Sequence, residues 1–405
     1  MIDRLARESA DGPAGSAGEV FSVFLRLGLT SFGGPIAHLG YFRDELVTRR
    51  RWLGDPAYAD LVALCQFLPG PASSQVGFAL GMMRAGWLGA LAAFAAFTLP
   101  SALILVGVAY SAARITGPLG SGVLHGLKIV AVAIVAQAVW GMARNLCPDR
   151  KRASIAVTAA AVLAFVPGAF GMVGAILMGA LAGLLLVPAG GPPAGGHVAM
   201  PVSRRVAAAA LGSFVVLLFG LPLVAGQAQW LAVVDSFYRA GALVFGGGHV
   251  VLPLLEAEVV QSGWVTRDAF LAGYGAAQAV PGPLFTFAAY LGALLGAEPN
   301  ELIGAALSLS ALFLPGFLLL VGALPLWDRF RTLAPARSMM QGANAAVVGI
   351  LAAALYSPVF VSAVGDMRDF TLALACFVAL TLWNSPPWRV VVLAVAGGVL
   401  LVLTA

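Results

Sequence analysis

The chain has 405 residues, 60% of them hydrophobic and only 10% charged, with a formal net charge of +5. Soluble domains carry about 25% charged residues, so a chain this apolar takes the bilayer as its solvent. Its arginines sit in short loops rather than in one patch, which marks membrane topology and excludes a nucleic-acid surface.

Residues 1–18 are mixed polar and charged, lack the apolar core of a signal peptide and read as a cytosolic tail. Segment 19–42 is apolar but interrupted by Ser31-Phe32-Gly33-Gly34-Pro35, and segment 57–83 by Pro69-Gly70-Pro71. Unbroken apolar runs follow at 86–112, 120–143, 153–168 and 171–188, the last two short enough to tilt or to pair as a hairpin. A Gly/Pro-rich stretch, Pro188 to Pro201, leads to the run 206–225. Two more broken segments, 231–254 and 268–297, precede the runs 301–324, 338–356, 370–384 and 387–404. The longer runs reach the roughly 20 residues that span a bilayer. Proline ends a helix, and broken backbone at membrane depth survives only inside protein or beside a wet cavity. The four broken segments are therefore the expected core, and the unbroken ones the scaffold.

The breaks come in pairs. Arg26, Gly28, Phe32-Gly33-Gly34, Glu45, Trp52, Gln66 and Pro69-Gly70-Pro71 recur as Arg239, Gly241, Phe245-Gly246-Gly247, Glu258, Trp264, Gln278 and Pro281-Gly282-Pro283. The offset is 213 up to Glu45/Glu258 and 212 from Trp52/Trp264. Phe97-Thr98-Leu99-Pro100 parallels Phe313-Leu314-Pro315, and Gly126 parallels Gly342 at an offset of 216, which sets Lys128 against Asn344. Loop charge reverses between the copies. Arg43, Arg49, Arg50 and Arg51 in one loop, and Arg144, Arg150, Lys151 and Arg152 in another, are basic, while the loop between them holds only Arg114. Their second-half equivalents hold Glu256, Glu258 and Arg267, then Asp366, Arg368 and Asp369, while Arg329, Arg331 and Arg337 replace Arg114. By the positive-inside rule the halves lie in opposite orientations, with the N-terminus inside and the C-terminus outside. The expected organisation is a tail (1–18), a first transporter repeat (19–188), a linker (189–205), an inverting helix (206–225) and a second repeat (226–405).

The chemistry points to an anion. Pro71 suits the start of a new helix inside the membrane, whose free N–H groups and positive dipole end attract negative charge, with Ser73 and Ser74 beside it. Gly282 marks the second copy, whose first turn is more apolar: Leu284-Phe285 stands against Ser73-Ser74, and Thr286 is its main hydroxyl. Gln66 and Gln278 precede the two breaks. Ser31, Gly33 and Gly34, with Gly246 and Gly247, let backbone approach a ligand or let helices pack closely. Arg26 and Arg239 are intramembrane charges that either meet an anion or snorkel to the headgroups. Lys128 is a further cation in an apolar run. His38 and His249, just past the glycine breaks, are candidates for proton coupling or for plain buried hydrogen bonding. Glu45 and Glu258 fit loop pairing or gating, and Trp52 and Trp264 fit interface anchors. The cysteines and histidines have no metal-ligand spacing, and no nucleotide fingerprint or cofactor motif appears, which argues against an enzyme.

These residues resemble the chromate ion transporter family. The resemblance rests on Ser31–Gly40 (SFGGPIAHLG), Cys65–Gly77 (CQFLPGPASSQVG), Phe97–Ala102 (FTLPSA), Phe245–Glu258 (FGGGHVVLPLLEAE) and Gln278–Gly292 (QAVPGPLFTFAAYLG). It covers nearly the whole chain and matches the long, fused form of the family. It implies efflux of chromate across the bacterial inner membrane and metal resistance, with sulfate as a related oxyanion. The reading is an all-α polytopic membrane protein, a secondary transporter of two inverted repeats with broken or re-entrant helices. Its partners would be the oxyanion, the lipid bilayer and, as a candidate, a second copy of the chain. The alternatives are a carrier of sulfate or another tetrahedral oxyanion, and a passive anion channel. The first half is expected to hold more of the anion's contacts.

Overall fold

A computed structural model describes residues 15–112, 117–188, 202–245, 247–296, 298–327 and 333–404. Most of the tail and of the 189–205 linker, with Arg114, Gly246, Arg329 and Arg331, lies outside the described residues. The described residues form helices and turns, with no strand among them. In the first half these are α1 (Ala17–Thr30), α2 (Gly34–Phe42) running into a wide turn Arg43–Arg49, α3 (Asp55–Phe67), α4 (Ala72–Ala112), α5 (Gly117–Leu146), α6 (Arg150–Phe165) and α7 (Ala169–Leu186). Then come α8 (Arg204–Val224), α9 (Gln229–Ala242), α10 (Val251–Leu255) with its own wide turn Glu256–Val260, α11 (Arg267–Ala277) and α12 (Phe287–Ala293). The chain closes with α13 (Glu301–Ala323), α14 (Ala334–Ala354), α15 (Met367–Thr381) and α16 (Pro387–Leu403).

Five stretches are long and apolar enough to cross a membrane: Ala72–Ser111, Gly117–Leu146, Arg204–Gln227, Glu301–Leu326 and Ala334–Ala363. The first is not one span. Ala85 (φ −145°, ψ 30°) and Gly86 (φ 63°, ψ −154°) leave helical geometry, and a Cβ placed on Gly81 would strike the Gly89 carbonyl. In a straight helix those residues would stand about 12 Å apart, so the chain reverses there. This agrees with the sequence division between 57–83 and 86–112. The second half repeats the reversal with α12 and α13, where Gly292 packs on Gly304. Large apolar side chains face outward, among them Phe170 (90% exposed), Phe165 (87%) and Leu223 (82%), as a lipid-facing surface requires. Trp52 is instead half-buried beneath Arg84, with 5.4 Å between the guanidinium and the ring, so packing as well as any interface role holds it.

The core does not respect the two halves. α5 carries Gly122 and Gly126 against Ala394 and Gly398 of α16, while α14 carries Gly342 against Gly179 and Gly183 of α7. Each half thus packs its last helix on the other half's equivalent partner. Small residues allow that backbone-to-backbone approach. Two buried clusters result. One gathers α1 to α3 and the first part of α4 with Leu320, Val321 and Trp327; the other gathers α5 to α7 with most of the second half.

Candidate functional site

The four breaks meet. Ser31 leaves α1 in extended conformation and Gly33 (φ 99°) starts α2; Gly70 (φ 120°) and Gly282 (φ 103°) turn the Pro-Gly-Pro segments. The Gly70 N–H donates to the Val244 carbonyl at 2.8 Å, and the Gly282 N–H donates to the Ser31 carbonyl at 2.9 Å. Val244 is the counterpart of Ser31 at the offset of 213, so the two bonds are one contact made twice. Pro35 and its counterpart Gly248 touch each other, since a Cβ on Gly248 would lie 3.1 Å from the proline ring. Residues that contact their own counterparts lie on the axis of an approximate twofold. Gly70 also abuts Gly316, and Gly282 abuts Ser101, which stands at the matching place in the first half.

Around the start of α4 the first half is polar and buried. Pro71 provides the carbonyl that accepts the Gln75 N–H at 2.9 Å, so the helix begins one residue later than the proline position alone suggests. Ser31, His38, Ser73, Ser74, Gln75, Thr98 and Ser101 are each at most 3% exposed. The Gln75 amide donates to the Pro69 carbonyl (3.1 Å) and to Gly316 across the halves (2.8 Å). His38 Nδ1 lies 3.4 Å from the Ser73 hydroxyl. Ser31 Oγ, His38 Nε2, Ser74 Oγ, Gln75 Oε1 and Thr98 Oγ1 have no hydrogen-bond partner. At the offset of 212, Phe285-Thr286 rather than Leu284-Phe285 stands opposite Ser73-Ser74, because Leu284 falls opposite Ala72. Ser31, His38 and Gln75 face Val244, Val251 and Phe287, so only Thr286 is polar, and its hydroxyl is bonded to the Pro283 carbonyl at 2.7 Å. Gln75, Thr98 and Ser101 lie within the repeated or family-like motifs but were not among the sequence candidates for the site. Their signal was a polar residue near a proline, Pro71 before the helix start and Pro100 within α4.

The remaining sequence candidates scatter. Arg26 stands on the exposed face of α1 with no acidic partner among the described residues. Arg239 is already held by Asp235 (2.9 Å) and Glu258 (3.0 Å). Lys128 pairs with Asp268 at 3.0 Å. Glu45 binds Arg50 (2.7 Å) and Arg49 (3.5 Å). Gln66 is exposed, while the Gln278 side-chain nitrogen is buried and unpartnered. His249 Nδ1 is bonded to the Tyr274 hydroxyl at 2.7 Å. His38 and His249 are not counterparts, because position 251 opposite His38 is valine. Among the described residues no group of three His, Cys, Asp or Glu side chains is placed to hold a metal ion.

The chromate transporter family model matches residues 18–184 and again 231–401. The chromate transport protein of Pseudomonas aeruginosa is 28% identical over 97% of this chain and 94% of its own length. The probable chromate transport protein of Synechococcus elongatus is 28% identical over 95% of this chain and 96% of its own. The chromate transport protein of Cupriavidus metallidurans is 28% identical over 90% and 87% respectively. No solved structure matches. The chain belongs to the chromate transporter family.

Proposed function

We propose that this member of the chromate transporter family carries chromate out of the cell across the bacterial inner membrane and so confers chromate resistance. The anion binds at the start of α4, and the site opens alternately to each side between inverted repeats. The observation that carries the reading is the group of buried, unpartnered polar atoms at that helix start. A buried polar group without a partner costs about 1–3 kcal/mol, so several together are explained by a ligand better than by folding. The hydroxyls of Ser31, Ser74 and Thr98 and the His38 Nε2–H would donate to a tetrahedral oxyanion, and the helix dipole would favour its charge. Gln75 Oε1 is an acceptor only, so Gln75 serves to fix the Pro69 and Gly316 carbonyls rather than to touch the anion. Arg26 carries the uncompensated positive charge that draws the anion in. Loop charge supports a cytoplasmic N-terminus and an external C-terminus. The donors suit sulfate as well as chromate, since both are tetrahedral dianions.

Ser74→Ala and Thr98→Val test this in proteoliposomes. Each removes one donor to an anion, so the half-saturating chromate concentration should rise about tenfold or more. The same changes remove orphaned hydroxyls, so stability without anion should hold or increase. Loss of stability with unchanged half-saturation in both variants would count against the site. Parallel measurements with sulfate rank the two oxyanions.

A further inference from the structure

We propose that Asp235, Arg239 and Glu258 form a proton-binding site whose occupancy is linked to that of the anion, a linkage that rests on the transport reading above. Asp235 and Arg239 lie one turn apart on α9, and Glu258 comes from the wide turn after α10. One Arg239 nitrogen, Nη2, reaches both carboxylates, at 2.9 Å and 3.0 Å. Two carboxylates and one guanidinium leave one negative charge uncompensated. Asp235 is 3% exposed, and its Oδ1 is buried with no hydrogen-bond partner. An ion left unpaired in such a place is costly, and a proton on one of the two carboxylates removes the excess charge. The pair then titrates as a unit.

The other charged or titratable neighbours do not supply the missing cation. On α9 itself there is only Tyr238, whose hydroxyl donates to the Phe214 carbonyl of α8 at 3.2 Å. On α13, packed against α9, Glu301 at the first residue is the only charged side chain. On the wide turn Glu256 faces Arg267 at 3.7 Å, and Ser236 faces Glu258. At α8 the arginines are Arg204 and Arg205, at its first turn, far along the helix from the Phe214 level. The matching positions of the first half form no such site: Ser22 stands opposite Asp235, and Glu45 is taken by Arg49 and Arg50.

The site is tied to the anion site through the backbone. Five residues after Arg239, the Val244 carbonyl accepts the N–H of Gly70 at 2.8 Å, beside the start of α4. An excess negative charge on α9 opposes entry of a second anion nearby, and a proton relieves that opposition. Proton and anion therefore favour each other's binding, and by linkage the effect is reciprocal.

The first test needs no substrate. Infrared spectra of the purified wild type across a pH series should show a protonated-carboxyl band that persists to neutral pH and is lost in Asp235→Asn or in Glu258→Gln. Absence of that band in the wild type, or its survival in both variants, overturns the proton site. The second test uses proteoliposomes at alkaline pH, where free chromate is the dianion, with a pH dye inside. Wild-type chromate flux should carry protons in the same direction and respond to an imposed pH gradient; Asp235→Asn should lose that response and Asp235→Glu recover it. A variant flux with the wild-type pH response, or a flux that follows sodium rather than protons, overturns the linkage. Absence of chromate flux in the wild type overturns the transport reading instead, and leaves the infrared result to judge the protonation.

Discussion

Gly70→Ala tests whether the breaks converge as described. The backbone at Gly70 has φ 120°, which an L residue adopts at a cost of roughly 1–3 kcal/mol. Its new Cβ would lie 2.9 Å from Gly316 Cα and 3.2 Å from the Gln75 side-chain nitrogen. The first neighbour is backbone and cannot rotate away, so overpacking adds roughly 1–3 kcal/mol. The total, about 2–6 kcal/mol, is large beside a typical total stability of about 5–15 kcal/mol. Two controls set the scale. At Gly282 (φ 103°) the Ser101 hydroxyl at 2.8 Å can swing aside by giving up its bond to the Thr98 carbonyl, at about 1 kcal/mol, which leaves the milder contacts with Ser101 Cβ at 3.2 Å and the Gly28 carbonyl at 3.4 Å. At Gly34 (φ 79°) nothing lies within 4 Å, so only the backbone term of about 1–2 kcal/mol remains. Unfolding midpoints of the purified variants, followed by tryptophan fluorescence, should fall in the order Gly34→Ala, Gly282→Ala, Gly70→Ala, the last losing most. Equal losses at Gly34 and Gly70 would refute the close approach of Gly70 to Gly316.

Two further outcomes concern topology and pH. In a background without native cysteines, Cys at position 150 should react with an impermeant thiol reagent only from the cytoplasmic side, and Cys at position 368 only from outside; reaction from one side at both positions would refute the inverted repeats. Asp149 caps α6 by accepting the Arg152 N–H at 3.0 Å, and that backbone bond, with the Arg152 side chain, holds its carboxyl below the usual range. A depressed value means the stabilisation is present at neutral pH and is lost as pH falls through the folded-state value. Asp149→Ala should therefore lower the unfolding midpoint at neutral pH, by the about 0.5–2 kcal/mol of an N-cap, with the difference from wild type vanishing on acidification. A difference that is constant with pH would refute the cap.

Helix interruption was legible because Gly and Pro report backbone geometry locally, and the paired Pro-Gly-Pro segments led directly to Gly70 and Gly282. The reversal at Ala85–Gly86 falls at the boundary between the segments 57–83 and 86–112, which marked where one apolar run ends but not that the chain doubles back. Charge was harder to read. Arg239 looked unpaired in sequence because Glu258 is 19 residues away and Asp235, its helical neighbour, lay in a stretch read only for hydrophobicity. Lys128 meets Asp268 across 140 residues, a pairing no local pattern announces. His38 and His249 looked alike by their distance from the glycines, but the register puts Val251 opposite His38. Thr98 and Ser101 come to the site only because α4 doubles back.

The exchange of α7 and α16 sets a limit on how this molecule can move. These helices meet their partners through glycines, so at those points main chain packs directly on main chain and any sliding would have to break that close approach. α5 must travel with α16, and α14 with α7. The hinge therefore cannot be the 189–205 linker, and the rigid pieces cannot be residues 19–188 and 226–405. The seam falls inside two helices instead. The two buried clusters divide between Phe97 and Ala102 in α4, and between Phe313 and Leu320 in α13. Pro100 and Pro315 sit in those intervals, where each helix already lacks a hydrogen bond and can bend without breaking another.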